Sequence, residues 1–473
     1  MLRVNVLRSS VKERREREGG GEVGESFGSS TPLGSLQTVR DMNTEGADLV
    51  HKSTFESYYK HMFPASHVFK LFSRTWQDKK YSPECREYGT ETIDGIFRRW
   101  KCCSNEDDLR TLVSAAEIGK LNIGAVFKQQ IWMRWKLPSN QSMIPLQREF
   151  VIDIDLDDYS SGAVSIDKND LQQNDRMWPL VAIGILICKD ILKEAFGFSQ
   201  FLVVYSGRRG AHLWVLDQRA CELTDEARAA IIKFITPSDK MSESGRKYFS
   251  WLLQHPNFGS GPNPLEASEI GMETVFQRFV YKFFVNYAIK PLGEKNGLGL
   301  LDSRFDREHF IKMADLKFSD QDVGHILNCA SGVAAFDKMQ YLISLQPEAL
   351  RKWTIVRMCE TICTMVWPRP DVAVSTHMNH TLKAPYSVHP KTGRISIPVF
   401  NTDLIDFDPS IDSPLASSEM PYSFAENVSH FAKFVSSMDV MNSVGGVGGE
   451  DGEDGNGDGN RSVTASGKRK REE

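Results

Sequence analysis

The stretch REFVIDID, residues 148–155, sets Phe150, Ile152 and Ile154 against Val151, Asp153 and Asp155 in strict alternation. A β-strand points successive side chains to opposite faces. The stretch therefore predicts a strand with one apolar face and two carboxylates leaving the other face together. At positions i and i+2 these carboxylates stand about 6–7 Å apart by Cα, twice the strand rise. Such a pair can share two Mg2+ or Mn2+ ions, which prefer hard oxygen ligands and lie about 3.5–4 Å apart in phosphoryl-transfer sites. A solvated strand face carrying Asp153, Asp155, Asp157 and Asp158 is the alternative reading of the same residues.

Downstream, Pro179 opens the apolar run PLVAIGILICKDILKEAFGF. Proline suits a first helical turn and Gly197 suits the end, so the run predicts a helix. Residues 201–205 (FLVVY) and 212–216 then predict two strands around a tight turn. Thr224 with Asp225 and Glu226 marks a further helix start, and Pro237 stops that helix after Ile235. From about residue 240 to 365 the pattern is largely helical.

The turn between those strands is Ser206-Gly207-Arg208-Arg209-Gly210-Ala211-His212. Its two glycines free the backbone to approach a ligand. Arg208 and Arg209 offer planar forks matched to phosphate oxygens, and Ser206 and His212 add further donors. A hairpin turn with solvated arginines is the bland alternative. A nucleoside triphosphate bridging metals and arginines satisfies both the turn and the carboxylate-bearing strand. A third cluster joins Arg369 and Asp371 to His380, Lys383 and His389, in the company of Lys391 and Arg394. Either histidine alone reads as structural; the surrounding cations favour an anion site.

The chain has 473 residues, 41% hydrophobic and 10% aromatic, enough for a large core and about two to four domains. Its longest plain apolar run, residues 180–188, is too short to span a bilayer, so no membrane partner is expected. The eight cysteines are scattered, with Cys102 and Cys103 adjacent and no CxxC, as in a reducing interior. Net charge is −5, so a nucleic-acid contact must come from a local basic patch. Residues 1–45 hold seven basic and seven acidic groups without apolar periodicity. They predict a disordered tail and argue against an organellar transit peptide. From residue 441 a Gly/Asp/Glu spacer leads to Lys468, Arg469, Lys470 and Arg471. That cluster reads as a nuclear import address or as a solvated chain end.

The aspartate strand, the arginine turn and the late cluster together resemble the catalytic small subunit of the archaeal and eukaryotic DNA primases, the eukaryotic form more closely. The similarity extends to YYKHMFP at 58–64, REY at 86–88 and LNIGAV at 121–126, and covers about residues 55–440. It implies that Asp153, Asp155 and Asp371 hold two Mg2+ or Mn2+ ions. It also implies that Ser206, Arg208, Arg209 and His212 bind the phosphates of an incoming nucleotide, with His380, Lys383 and His389 completing the pocket. Glu87 and Arg99 match further active-site positions, Glu87 as a catalytic residue and Arg99 as a nucleotide contact.

The implied activity is synthesis of short RNA primers on a single-stranded DNA template from ribonucleoside triphosphates, leaving an RNA/DNA hybrid, in the nucleus. The implied partners are a primase large subunit and the DNA polymerase alpha complex. The family usually places four zinc ligands, mostly cysteines, after the aspartate strand. Residues 160–178 contain neither Cys nor His, so structural Zn2+ is not expected. Asn122 stands where the family usually has aspartate.

A primase-polymerase of damage tolerance and a catalytically silent scaffold subunit are the rival functions, with a metal-dependent nuclease ranked last. The expected architecture is α+β. Mixed or antiparallel sheets form a core over 46–240 and 366–440, a helical subdomain is inserted at 241–365, and tails at 1–45 and 441–473 are disordered.

Overall fold

Two antiparallel sheets carry an α+β fold, seen in a computed structural model that describes residues 52–73, 81–115, 117–159, 167, 169–236, 276–400 and 403–444. The tail predicted over 1–45, the stretch 237–275 and the chain beyond 444, with its basic cluster, lie outside the described residues.

The first sheet contains β1 (Arg86–Thr92), β2 (Phe97–Lys101), β3 (Ile118–Phe127) and β4 (Pro145–Gln147) in the order β2-β1-β3-β4. The second contains β5 (Phe150–Asp155), β6 (Phe201–Tyr205) and β7 (Gly210–Val215) in the order β5-β7-β6. A two-residue strand, β8 (Leu382–Lys383), pairs with β3. The predicted carboxylate strand is β5. Phe150, Ile152 and Ile154 are fully buried, while Asp153 and Asp155 are half-buried, as the alternation requires.

Helices cover what the sheets leave apolar. Residues 52–61 form α1, followed by α2 (Ala65–Ser73), α3 (Glu106–Val113), α4 (Trp178–Phe196) and α5 (Asp225–Ile235). The long α4 packs on β5 and β7 and buries residues on all sides, Leu180, Ile183, Ile187 and Ile191 among them. It ends at Gly197 in the left-handed conformation, φ 67°, which only glycine adopts without strain. The side chain of Thr224 caps α5 by accepting from the amide of Ala227.

Residues 276–366 supply α6 (Arg304–Met313), α7 (Asp320–Leu327), α8 (Gly332–Ser344) and α9 (Glu348–Val366) after π-type turns at Phe276–Tyr281 and Phe284–Ala288. Serines 303, 319 and 331 cap α6, α7 and α8. The short α10 (Val372–Thr376) packs on α5 and β5, and α11 (Tyr422–Val444) returns to α2. Among the described residues no helix is long and apolar enough to cross a membrane.

Buried cations fix the entry to β5. Arg86 and Glu149 form a fully buried two-pronged pair at 2.8 and 2.9 Å, tying β1 to the residue before β5. Arg148 donates from Nη1 to the carbonyls of Val374 and His377, which joins β5 to the late segment. Arg228 on α5 donates to the carbonyls of Arg148, Glu149 and Ala220. Burial and the neighbouring Arg228 pull Arg148 down to about 9. Most of these donors find acceptors, as buried cations require, while Arg86 Nε and Arg148 Nε and Nη2 are buried without a partner among the described residues.

Candidate active site

The site is assembled by residues 370–400, which cover both edges of the three-stranded sheet. At the β5 edge the amide of Asp371 donates to the carbonyl of Asp153 at 2.8 Å, and Pro370 bridges Ile154. At the β6 edge Tyr205 donates to Ile397 and Val399 donates to Val203, at 2.9 and 3.0 Å. Between these attachments the chain crosses to the first sheet, where Lys383 lies opposite Asn122. Three motifs far apart in the chain thereby meet at one end of β5.

Register then decides which side chains face one another. In the β5–β7 pair Asp153 lies opposite His212 and Asp155 opposite Gly210, and opposed residues share a face. His212 Nε2 stands 3.7 Å from Asp153 Oδ1. Burial holds the imidazole neutral by pulling its pKa down to about 3, so the contact is not an ion pair. Asp153 is pushed up to about 7, first by burial and then by the charges of Asp155 and Asp371. Asp158 is raised to about 6 by burial together with Asp155 and Asp371. Negative charge is therefore crowded here beyond what the protein itself neutralises.

The cations take up part of it. Arg209 reaches Asp155 at 3.3 Å and Asp157 at 2.8 Å. Lys383 donates to the carbonyl of Ser206, and burial with the nearby Lys120 lowers its pKa to about 7. His389 lies against Gly207, close enough to Lys383, Arg208 and Arg209 for their charges to add to burial in lowering its pKa to about 2. The Nδ1 atoms of both His212 and His389 are buried without a hydrogen-bond partner among the described residues. On the far side Arg99 clasps Glu87 at 2.8 and 2.7 Å and donates to the carbonyl of Asn379 at 2.8 Å. His380 follows directly and is exposed, its pKa lowered first by desolvation, its Nδ1 2.9 Å from the carbonyl of Thr381.

A family model described as DNA primase small subunit matches residues 152–400, the span from the aspartate strand to the end of the late segment. That is more than half of the chain. The chain belongs to the DNA primase small subunit family. Among curated relatives, the DNA primase small subunit of Schizosaccharomyces pombe is 26% identical over 366 residues, covering 76% of this chain and 75% of that protein. The Saccharomyces cerevisiae small subunit is 25% identical, covering 73% and 81%. The archaeal small subunit PriS of Thermococcus kodakarensis is 24% identical over a shorter stretch, 47% of this chain and 55% of that protein.

Against this primase frame several details differ from the sequence reading. The glycines of the turn are required by the protein's own packing. Gly207 has φ 88°, and a Cβ there would lie 2.9 Å from that of His389; one on Gly210 would collide with the carbonyl oxygen of Ile154. The Ser206 hydroxyl closes the turn by accepting from the amide of Gly210 at 3.1 Å. Arg394 is committed to Asp175 at 2.6 and 2.9 Å, with its charge satisfied inside the fold. Glu87 is fully buried with its oxygens engaged by Arg99 and the amide of Trp100, a geometry for positioning rather than for reacting. Of the adjacent pair, Cys103 is buried and Cys102 is half-buried beside Ala125 and Phe127.

Lys120 was missed, although its charge acts on Lys383, His212 and His389. Period two along β3 puts it on the same side as Asn122, a signal present in the sequence. Asn122 itself is buried with Nδ2 unpartnered among the described residues.

Among the described residues no three His, Cys, Asp or Glu side chains stand ready-made as a metal cluster. Asp371 Oδ1 accepts from the amides of Ala373 and Val374, and Asp155 is paired with Arg209. The donor set nevertheless suits a hard divalent ion. It consists of carboxylates gathered where burial, and then their mutual repulsion, raises Asp153, and a dication would relieve that repulsion.

Proposed function

We propose that this chain is the catalytic subunit of a DNA primase, making short RNA primers on single-stranded DNA for replication by nucleotidyl transfer from ribonucleoside triphosphates. The observation that carries the reading is the pairing of β5 with β7. It sets the Asp153 and Asp155 carboxylates beside His212 and the arginine turn on one sheet face.

In this reading Asp153, Asp155 and Asp371 hold two Mg2+ or Mn2+ ions. When bound, such ions activate the attacking hydroxyl and stabilise the leaving pyrophosphate. The chain's own groups do the rest. Arg209 exchanges Asp155 and Asp157 for phosphate oxygens, and Arg208, Ser206 and Lys383 add donors to the triphosphate. His212 and His389, kept neutral by burial, donate or accept a hydrogen bond without adding charge. Arg99, held by Glu87, and His380 border the nucleotide on the side of the first sheet. Base pairing with the template selects the nucleotide, so the protein need not read bases.

The large subunit, DNA polymerase alpha and nuclear import through Lys468–Arg471 complete the proposal. The test is primer synthesis on an unprimed single-stranded template, with and without large subunit, comparing wild type with Asp153→Ala/Asp155→Ala. RNA products from wild type alone support the reading. No product from folded, partner-bound wild type supports a silent scaffold.

A further inference from the structure

Beside the site, the outer edge of the first sheet carries a group of aromatic and basic side chains that the proposed chemistry does not use. β2 is the edge strand, and the tight helical turn Ile131–Lys136 (IWMRWK) packs beside it. Three residues make one turn of such a helix, so Trp132 and Trp135 fall on the same face, about 6 Å apart along its axis. Trp135 is 77% exposed and Trp132 43%, unusual for the largest side chains.

Cations interleave with the rings. The Arg134 guanidinium lies 4.5 Å from the ring centre of Trp100 and 4.7 Å from that of Trp135. Lys136 lies 4.8 Å from Trp132, and Arg99 covers Trp100 at 4.9 Å. Trp132 is also braced, donating to Glu84 at 3.4 Å, and the neighbouring Trp100 packs on Phe127. Exposed Arg98, Lys101 and Lys128 add positive charge along the same strands. The acidic Glu84 lies at the patch and is engaged by Trp132, Gln130 and Ser104.

The patch is tied to the site by a strained residue. Trp100 has φ 67°, costly for a bulky side chain, at the end of β2 where that strand's register on β1 shifts. Its amide donates to Glu87, the carboxylate that holds Arg99. Ring orientation and Arg99 orientation are therefore set by one anchor.

We propose that Trp132 and Trp135, with Arg134 and Lys136, form a docking surface for single-stranded nucleic acid, the template strand beside the active site; this rests on the primase reading. Braced aromatic faces accept any base by stacking, and flanking cations follow the phosphates. The combination gives affinity without sequence preference, as a template-reading enzyme requires.

The test is equilibrium binding of the full chain to a fluorescein-labelled oligo-dT, read by anisotropy. Trp132→Ala/Trp135→Ala should weaken binding about tenfold or more, and the Trp132→Phe/Trp135→Phe variant should recover most of it. Arg134→Ala/Lys136→Ala should flatten the salt dependence by about 1.4 in log–log slope. Binding of magnesium nucleotide, titrated separately, should change less than about twofold in the alanine pair and report its folding, on the scale where tenfold marks a lost interaction. Wild-type affinity for oligo-dT in the alanine pair would overturn the patch alone. Absence of oligo-dT binding by wild type would overturn both the patch and the template part of the functional reading. Patch-dependent binding by a wild type that makes no primer would overturn the functional reading and leave the patch standing.

Discussion

The amide of Asp371 donates to the carbonyl of Asp153 at 2.8 Å, so a residue of the late segment is stitched onto the edge of the strand that carries the first two carboxylates. The hydrogen bond is between backbones and does not depend on either side chain. Substituting Asp153 therefore alters charge at the site without breaking this attachment, which makes the following outcomes separable from unfolding.

Asp153→Asn should stabilise the metal-free protein at alkaline pH. The folded carboxyl titrates near 7, well above its unfolded value. The folded state therefore holds the extra proton between about pH 4 and 7, and stability falls as pH rises through that window. Asparagine cannot ionise, so the variant should be more stable at pH 8 by on the order of 1–3 kcal/mol, with the gap closing near pH 4. Thermal melts in chelator across pH measure this. Millimolar Mg2+ should reverse the order by binding wild type preferentially. A variant no more stable than wild type at pH 8 would remove the argument for crowded charge.

His212 and His389 act in the opposite direction. Both are buried neutral, with pKa values drawn down to about 3 and about 2, while the unfolded chain takes up protons near 6.5. Their contribution is complete above pH 6.5 and is lost as pH falls toward 3. Replacing both with glutamine should flatten the acid limb of the stability profile between about pH 6 and 4. Urea midpoints across that range check it, and an unchanged limb would contradict it.

Glu87 and Arg99 should behave as one unit. Glu87 is fully buried and Arg99 is 30% exposed, so the pair is shielded but not sealed. A double-mutant cycle with Glu87→Gln and Arg99→Ala should give a coupling of about 1–3 kcal/mol in urea denaturation. Glu87→Gln should also raise the nucleotide KM by freeing the Arg99 fork from its fixed orientation. Additive stability effects would show that Glu87 does not position Arg99.

The two glycines of the arginine turn should differ in severity. Gly210→Ala sets a methyl against the backbone of β5, which cannot yield without breaking the β5–β7 pairing, and should cost about 3 kcal/mol or more. Gly207→Ala faces a positive φ and the Cβ of His389 at 2.9 Å, with the carbonyl oxygen of Arg394 at 3.1 Å, looser contacts than at Gly210, and should cost about 1–2 kcal/mol. Urea denaturation ranks them, and equal costs would mean that the turn is not clamped from the β5 side.

Much of this was legible in residue order because alternation and capping are local. The face shared by Asp153 and Asp155, the span of α4 between Pro179 and Gly197, and the start of α5 at Thr224 all follow from neighbours in the chain. The convergence of Asp371, Lys383 and His389 on β5 depends on pairings across more than 150 residues, and only the family resemblance pointed to it. Arg394 counted among the cations around the late histidines because its partner, Asp175, lies 219 residues away in the chain. The turn glycines looked ligand-facing for the same reason: the backbone they touch is remote in sequence. Lys120 shares the face of Asn122 by strand alternation, but nothing local to β3 shows that this face meets Lys383 and the arginine turn.

The central claim is that the carboxylates and the arginine turn operate as one metal–nucleotide site. The most direct measurement is Mn2+ binding by electron paramagnetic resonance, with and without nucleoside triphosphate, in wild type, Asp153→Asn and Arg208→Ala/Arg209→Ala. The account predicts that triphosphate tightens Mn2+ binding in wild type at least about tenfold, that Asp153→Asn loses the ion, and that the arginine variant keeps the ion but loses the coupling, a difference of about 1.4 kcal/mol or more. Mn2+ and nucleotide binding independently of one another, or Mn2+ affinity unchanged by Asp153→Asn, would contradict it.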